Sequence, residues 1–350
     1  MNADKLCKLL TEADGVLITS PQNLRYFTGF RGGEGVALIT ADKRYLFVDS
    51  RYTVAAKNEA VGYEVTEYRP GKLCNEIHER QTNISVLAYE DVYMSAAEYH
   101  AYKKEWQGIE FKPASGDIDK LRMVKTQEEL EYAARAEQIG VDAFLKVLPV
   151  IKPGITETDL AAELEYQMRR LGAEGTSFET IAISGIKTSM PHGIPDSKKI
   201  EYGDFVTMDF GCRYMGYCSD MTRTIVVGKA NDEQRKIYST VLKAQLAGLE
   251  AIKSGVICSD ADAAARQIIA DAGYGRFFGH SLGHGVGLMI HELPNLSPKS
   301  ETILEPGMIV TCEPGIYIPG FGGVRIEDMV YVTENGNVNM TKLSKELIEI

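Results

Sequence analysis

The sequence has no pair of cysteines in a CxxC spacing, although it contains six cysteines in all. Cysteines that bind metal or exchange disulfides are usually found in close pairs, and isolated thiols suit a reducing compartment. Free cysteine is most often a small buried hydrophobic residue. We therefore expect all six cysteines to be ordinary thiols.

The sequence also lacks a long apolar run. No stretch approaches the roughly 20 residues that a membrane-spanning helix needs, and the first residues do not have the apolar core of a signal peptide. Long runs of Lys or Arg are absent, and the formal net charge is -11. This balance favours a cationic ligand over nucleic acid or an anionic membrane. The sequence thus predicts a cytoplasmic protein with no nucleic-acid or membrane partner.

The length and the residue patterns indicate two domains. The chain has 350 residues, whereas an average domain has roughly 100 to 200. Its first part alternates short β-rich runs, such as GVLIT at 15–19, with helical patterns. A long amphipathic helical pattern follows, with Thr126 and Glu129 in the spacing of a capping box. We predict an N-terminal α/β domain over residues 1–120 and an α+β domain over 121–350.

The second part of the chain repeats itself. IKPGITETDLAA (151–162) aligns with IKSGVICSDADA (252–263), and GDFVTMDFG (203–211) aligns with GMIVTCEPG (307–315). The two offsets, 101 and 104 residues, are nearly equal and far longer than the period of a solenoid repeat. We infer a duplicated α+β unit with two halves related by a pseudo-two-fold axis.

The duplication aligns one carboxylate, Asp209, with another, Glu313. In the first half, a turn centred between Tyr214 and Met215 places Asp209 opposite Asp220, with Cβ atoms roughly 5 Å apart. Like charges at this distance are destabilising. A divalent cation between them, proton sharing or a one-residue register shift would each relieve the repulsion.

The second half has the same design and adds a histidine. Glu313 is followed on a later strand by Glu327, and HSLGHGVGLMIHELP (280–294) supplies His284 among glycines that allow a close backbone approach. The candidate ligand set is Asp209, Asp220, His284, Glu313 and Glu327. Two divalent ions would neutralise its four carboxylates. Oxygen donors with one imidazole favour Mn²⁺ or Co²⁺, with Zn²⁺ as an alternative, and two such ions about 3.5 to 4 Å apart can activate water.

These motifs together resemble the pita-bread metallopeptidases, specifically the Xaa-Pro dipeptidase (prolidase) and aminopeptidase P branch. The resemblance is carried by MDFG, SDMTRTIVVG, HSLGHGVGLMIHELP, TCEPGIY and GGVRIED, with PHG upstream at 191–193. It covers nearly the whole chain and implies a creatinase-like N-terminal α/β domain before a pita-bread catalytic domain. It also implies a dinuclear metal centre on the same five ligands, and a homodimer.

The resemblance implies roles for residues around the metals. His192, His280 and His291 match histidines that surround the substrate, and Glu313 matches a residue that is both ligand and base. His192 or His291 can donate to the oxyanion, and His291 can alternatively protonate the leaving nitrogen. Arg325 matches an arginine beside the final glutamate, and we expect it to orient a ligand carboxylate rather than hold the carboxylate of the substrate.

The leaving group of an Xaa-Pro bond requires its own pocket, because the bond is a tertiary amide without an N–H and the ring fixes φ. Phe178 and Tyr317 are the aromatic candidates for the wall of that pocket. The predicted catalytic residues are His192, His291 and Glu313. The predicted substrate-binding residues are His192, His280, His291, Arg325, Phe178 and Tyr317.

The leading prediction is a metal-dependent Xaa-Pro dipeptidase, since the chain is compact like short microbial prolidases. The alternative is an aminopeptidase P that acts on longer Xaa-Pro peptides. Creatinase-like relatives lack the metal ligands, and methionine aminopeptidases lack this N-terminal domain. A catalytically retired peptide-binding protein is the alternative of another class, although loss of ligand acids is not seen. A non-metal hydrolase would need a nucleophile, and Ser281 has no nucleophile-elbow context.

Overall fold

The structure is a computed structural model that describes residues 2–80 and 83–350. The chain divides into two units, Met1–Leu121 and Arg122–Ile350. No helix in the described ranges has the length and apolarity needed to cross a membrane. The six cysteines carry free thiols, as their spacing predicts, and four of them are buried.

The first unit is built on one mixed sheet of six strands, in the order β4-β3-β2-β1-β5-β6. The strands are β1 (Gly15–Ile18), β2 (Val36–Thr40), β3 (Arg44–Val48), β4 (Glu64–Glu67), β5 (Val86–Tyr89) and β6 (Glu110–Pro113). The helices are α1 (Pro21–Thr28), α2 (Thr53–Glu59), α3 (Leu73–Arg80), α4 (Ala96–Glu105) and α5 (Ser115–Lys120). Strands β1 and β2 are buried along their whole length, which explains their continuous apolar runs.

The second unit begins with two capped helices. Helix α6 (Gln127–Val147) has the predicted capping box, in which the Thr126 hydroxyl accepts from the Glu129 N–H and the Glu129 carboxylate accepts from the Thr126 N–H. Helix α7 (Glu157–Arg170) begins with a second capping box, between Thr156 and Asp159. The strands of this half are β7 (Gly175–Thr176), β8 (Ile181–Ser184), β9 (Phe205–Phe210), β10 (Cys212–Tyr214), β11 (Tyr217–Cys218) and β12 (Met221–Val226).

The other half of the second unit repeats this arrangement of helices followed by strands. Helices α8 (Asp232–Ala251) and α9 (Cys258–Asp271) precede its strands. These strands are β13 (Gly283–Gly285), β14 (Glu292–Leu296), β15 (Ile309–Cys312), β16 (Gly315–Ile318), β17 (Gly322–Arg325), β18 (Asp328–Thr333) and β19 (Gly336–Asn339). The aligned sequence segments form equivalent elements: α7 corresponds to α9, and β9 corresponds to β15.

Two sheets of the second unit meet where the site lies. One has the order β12-β9-β8 and the other the order β14-β13-β15-β18-β19. An antiparallel bridge between Thr222 and Glu327 connects them. Separate apolar clusters support the two halves, one containing Phe144 and Phe210 and the other containing Val310. Strand ends that carry acids are therefore held by packed cores.

The first hairpin turns one residue later than the sequence suggested, so the predicted turn centre is wrong. Met215 and Gly216 form the turn, with φ values of 48° and 79°. Two left-handed residues are what a type I′ turn needs, and glycine is favoured at its second position. Asp209 consequently pairs with Thr222 rather than with Asp220. The two aspartates are offset along the strands, yet both line one cavity.

Candidate metal centre

A cavity of about 530 Å³ is lined by residues from both halves of the second unit. The lining includes every predicted metal ligand: Asp209, Asp220, His284, Glu313 and Glu327. It also includes five of the six predicted substrate-binding residues: His192, His280, His291, Arg325 and Phe178. Tyr317 is the predicted residue that the structure places outside this lining.

The four acids lie at or beside strand ends, and the duplication explains why. Asp209 lies near the end of β9, and Glu313 directly follows β15, its counterpart. Asp220 and Glu327 directly precede β12 and β18, which pair with those two strands. The two hairpins therefore direct four carboxylates into one cavity from opposite halves of the unit.

His284 lies among these acids with one ring nitrogen directed toward them. Its Nε2 atom is 3.4 Å from Asp220 Oδ2 and 3.4 Å from Glu313 Oε1. Its Nδ1 atom is 3.1 Å from the carbonyl oxygen of Gly285, a partner that can fix the tautomer. One ligand atom from each of Asp220, His284 and Glu327 lies within 4.8 Å of the others. The Nε2 atom is thus available as a metal ligand.

The four acids repel one another when they are all ionised and no cation lies between them. Burial raises the pKa of Asp220 well above its usual range, and the charges of Asp209 and Glu313 raise it further. Burial also raises the pKa of Glu327 and of Glu313. The buried Oδ1 atom of Asp209 has no hydrogen-bond partner among the described residues. Oxygen donors that repel one another around one imidazole fit a divalent metal centre.

Arg325 binds the carboxylate of Asp209, one of the predicted metal ligands. Its Nη2 atom donates to Asp209 Oδ2, and its Nε atom donates to the Thr222 hydroxyl at 3.0 Å. The Thr222 hydroxyl in turn donates to Glu327 Oε2 at 2.6 Å. Arg325 therefore orients one acid directly and is linked to a second acid through Thr222. Outer contacts of this kind set the orientation of metal ligands.

Tyr317 lies behind Arg325. Its hydroxyl accepts from Arg325 Nη1 at 2.8 Å and is 2.9 Å from His280 Nε2. The other ring nitrogen of His280 is 2.8 Å from the Ser281 carbonyl oxygen. Burial lowers the pKa of His280 to about 4, so its ring is neutral at pH 7. Both ring nitrogens of His280 thus have protein partners.

His192 and His291 differ from His280, because neither makes a hydrogen bond with any residue in the described ranges. Both line the cavity. The centroid of the His291 ring is 4.3 Å from that of His284. Burial and the neighbouring His284 lower the pKa of His291. These two imidazoles are therefore available to a substrate.

Several residues of the cavity wall were not predicted from the sequence. Glu179 and Asn295 are polar examples. Asn295 pairs across the strands with His284, so a correct pairing of β13 with β14 would have identified it. Glu179 precedes by two residues Ile181, which pairs with Asp209. Glu179 lies just before β8, and extending the two-residue period of that strand back from Ile181 would have selected it.

Replacing Gly283 by Ala tests the close backbone approach beside His284. A Cβ atom there would lie 2.1 Å from the Thr311 carbonyl oxygen, and backbone cannot yield as a flexible side chain can. We expect Gly283→Ala to destabilise the protein by about 1 to 3 kcal/mol and to lower metal content, because the strand carrying His284 must shift. Thermal unfolding and metal analysis measure both effects.

Gly279→Ala is the matched control for this prediction. A Cβ atom at Gly279 would meet no other atom within 4 Å, and its φ is not in the left-handed region. We expect this variant to keep its unfolding temperature and its metal content. Equal behaviour of the two variants would show that the approach at Gly283 is not restrictive.

Family models match most of the chain. Residues 131–334 match the model of metallopeptidase family M24. Residues 4–124 match the creatinase/prolidase N-terminal domain. The first match contains all five predicted metal ligands, and together the two matches follow the order that the resemblance implies.

Individual relatives resemble the chain over its whole length. An Xaa-Pro dipeptidase from Pyrococcus furiosus is 42% identical, covering 99% of both chains. The solved structure of an Xaa-Pro dipeptidase from Bacillus anthracis is 45% identical, with a TM-score of 0.97, and covers 100% of this chain and 99% of its own. An X-Pro aminopeptidase from Thermotoga maritima is 37% identical, with a TM-score of 0.93, and covers 99% of this chain and 100% of its own.

Proposed function

Because this chain belongs to metallopeptidase family M24, we propose that it is a metal-dependent dipeptidase that hydrolyses the peptide bond of Xaa-Pro. The family, the enzyme class and the fold class are confirmed predictions: a creatinase-type N-terminal domain precedes a pita-bread catalytic domain. One observation carries the substrate proposal. An Xaa-Pro dipeptidase aligns with 99% of the chain at 42% identity, so that the similarity extends over both domains.

The metal centre that we propose comprises two divalent ions per chain, Mn²⁺ or Co²⁺, with Zn²⁺ as the alternative. The residues that would hold them are Asp209, Asp220, His284, Glu313 and Glu327. When bound, such ions supply a water-derived nucleophile at neutral pH and polarise the scissile carbonyl. The unpartnered Oδ1 atom of Asp209 and the repulsion among the acids support this centre.

The side chains of the cavity divide the proton transfers between them. Glu313 can accept a proton from the attacking water at its carboxylate, and the Thr311 hydroxyl orients that group by donating to Oε1 at 3.2 Å. His192 and His291 have uncommitted rings, and either can donate to the developing oxyanion. His291 can alternatively protonate the nitrogen of the leaving proline.

The cavity wall offers the contacts that the two ends of the substrate need. Phe178, Ile194, Pro195 and Ile290 form apolar parts of the lining, which suit a pyrrolidine ring that has no N–H to donate. Glu179 lines the cavity and forms no ion pair or hydrogen bond with a described residue. Its carboxylate is therefore available to the free α-ammonium group of the substrate.

The second candidate function is that of an Xaa-Pro aminopeptidase, which acts on peptides longer than the dipeptide. Arg325 is the one Arg or Lys among the described residues of the cavity lining, and Asp209, Thr222 and Tyr317 engage its guanidinium. A carboxylate at the end of a dipeptide would have to compete with Asp209 for it. The similarity to an X-Pro aminopeptidase at 37% identity also favours this candidate.

One assay tests the proposal against both alternatives. The purified chain, loaded with Mn²⁺ or Co²⁺, is given Xaa-Pro, Xaa-Pro-Yaa and N-acetyl-Xaa-Pro. We expect Xaa-Pro to be hydrolysed only with metal, and the acetylated peptide to resist because its amine is blocked. Hydrolysis of Xaa-Pro-Yaa alone would replace the dipeptidase with the aminopeptidase. Hydrolysis of none by the metal-loaded protein would favour the peptide-binding alternative.

We also propose a cytoplasmic homodimer. The six free thiols support a reducing compartment. The dimer follows from the family resemblance. Sedimentation equilibrium checks the assembly, where a monomeric mass at micromolar concentration would contradict it, and cell fractionation checks the compartment.

A further inference from the structure

The segment after β8 carries one side of the cavity wall. It forms a 3₁₀ turn at Gly185–Ser189 and continues to Asp196, and we call residues 185–196 the cavity loop. Its middle supplies a run of lining residues that includes His192 and Ile194. Since the His192 ring has no hydrogen-bond partner among the described residues, the backbone of the cavity loop determines where that ring lies.

A single carboxylate binds both ends of the cavity loop. Glu157, at the start of α7, is 0% exposed. Its Oε1 atom accepts from the Ser184 N–H at 2.7 Å and from the Ser184 hydroxyl at 2.9 Å, directly before the loop. Its Oε2 atom accepts from the Asp196 N–H at 3.3 Å, at the end of the loop.

Lys187, near the start of the cavity loop, binds both Glu157 and the end of the loop. Its ammonium group donates to Glu157 Oε2 at 2.5 Å, to the Ile194 carbonyl oxygen at 3.0 Å and to Asp196 Oδ2 at 2.8 Å. These contacts use all three donors of a lysine ammonium. They enclose residues 188–193 in a ring of hydrogen bonds, and His192 lies within that stretch.

Helix α7 does not need Glu157 as its cap. The capping box already satisfies the helix start, since the Thr156 hydroxyl accepts from the Asp159 N–H at 3.0 Å. Burying a carboxylate is costly unless it is paired and hydrogen-bonded, and apolar replacements of buried ion pairs are often no less stable. A charge retained at this position points to a geometric role in the loop.

We propose that Glu157 and Lys187 form a positioning clamp that holds His192, and the cavity wall beside it, against the substrate. The inference rests on the proposed function, because the substrate is what His192 would contact. Neither clamp residue lines the cavity, so both act through the loop rather than on the reacting atoms.

Two variants of the clamp test this role kinetically. In the Mn²⁺-loaded enzyme, we expect Glu157→Gln and Lys187→Met each to lower kcat/KM for Xaa-Pro by about 10- to 100-fold, because misplacing a reacting group by about 1 Å costs on the order of 100-fold. Metal content per chain should stay at the wild-type value, since no ligand is touched. Lys187→Arg should restore part of the rate.

Asp159→Asn is the matched control for the start of the helix. The N–H of Thr158, in the same first turn, also binds the Asp196 carbonyl oxygen at 3.1 Å, so a weakened helix start could by itself loosen the loop. We expect Asp159→Asn to change kcat/KM less than about two-fold. A loss equal to that of Glu157→Gln would assign the effect to the helix and overturn the clamp.

A second background separates positioning from general destabilisation. When His192→Ala is already present, Glu157→Gln should cause a smaller loss than in the wild type, because the ring has gone and only the cavity wall beside it remains for the clamp to hold. The same full loss in both backgrounds would overturn the proposal, as would a parallel loss of metal.

Hydrogen exchange tests the clamp without any activity. Glu157→Gln and Lys187→Met should each speed amide exchange across residues 185–196 but not within α8, whereas Asp159→Asn should not affect the loop. Unchanged amide exchange in the cavity loop would contradict the proposed clamp even if the enzyme hydrolyses Xaa-Pro. Faster exchange in a protein that hydrolyses no Xaa-Pro would instead place the failure in the proposed function.

Discussion

Replacing His284 by Ala should abolish metal binding and hydrolysis together, whereas His291→Ala should keep the metal and lose turnover. The His284 Nε2 atom lies 3.4 Å from carboxylate oxygens of Asp220 and Glu313. His291 lies beside the His284 ring but outside the group of close ligand atoms. The two histidines are thus adjacent in space and differ in their expected chemistry.

The two variants should change different quantities: metal affinity in His284→Ala and turnover in His291→Ala. Loss of an outer partner of a ligand already costs about 10- to 100-fold in metal affinity, so removal of His284 itself should cost more. Removal of a general acid lowers turnover by about 100- to 10,000-fold, which is the range that we expect for kcat in His291→Ala. Metal analysis of the purified variants and steady-state kinetics measure the two quantities separately.

An exposed histidine of the first unit provides the control. His100 is exposed in α4 and is not one of the residues that line the cavity, and His100→Ala should retain metal and rate. Equal metal loss in His284→Ala and His291→Ala would contradict the division of roles. It would place both imidazoles in the metal centre.

Removing the metal should make the protein less stable at pH 8 and should reverse the pH dependence of its stability. In the metal-free protein, burial raises the pKa values of Asp220, Glu313 and Glu327 above those of the unfolded chain. Between the unfolded and the folded pKa, the folded state therefore binds more protons than the unfolded state. The free energy of unfolding must fall as pH rises through that window, by about 1.4 kcal/mol for each unit of pKa difference.

With metal bound, the free energy of unfolding should instead fall as the pH is lowered into the acid range. The ligands must then be deprotonated, so protons compete with the ions and acid weakens the metal-bound state. We expect the unfolding temperature of chelator-treated protein to rise as pH is lowered from the alkaline side through the raised pKa values of the three acids. Measurements above the ordinary pKa of histidine, about 6.5, limit interference from groups such as His280.

Asp220→Asn is the control for the pH experiment. It removes one of the carboxyl groups with a raised pKa and relieves the repulsion on its neighbours, so the metal-free variant should depend less on pH than the metal-free wild type. Glu137, whose pKa burial raises to about 8, keeps its carboxyl group in both proteins, so the comparison concerns the difference between the two slopes. An identical slope in the two proteins, or a metal-free wild type that stabilises as pH rises, would refute the account.

Much of the fold could be predicted because its signals are local. The capping box at Thr126 and Glu129 needs only a three-residue spacing, and it is present in the structure. The two repeated segments form α7 and α9, as an internal duplication requires. The hairpin register could not be predicted to the residue, since it depends on whether the two central residues of the turn are Tyr214 and Met215 or Met215 and Gly216.

The sequence by itself determined the chemical inventory of the site: four acids at matching places in two repeats, one imidazole among glycines, and the motifs that led to the family. Those signals are residue types at fixed spacings, and they survive without coordinates. Tertiary structure alone decided which partners these groups have. Tyr317 lies behind Arg325 rather than on the cavity wall, and Glu157 binds a residue 39 positions away. The contact of Glu157 joins segments that are distant in the chain, and Tyr317 meets Arg325 because strand β16 pairs with β17, so only the folded chain brings these groups within hydrogen-bond distance.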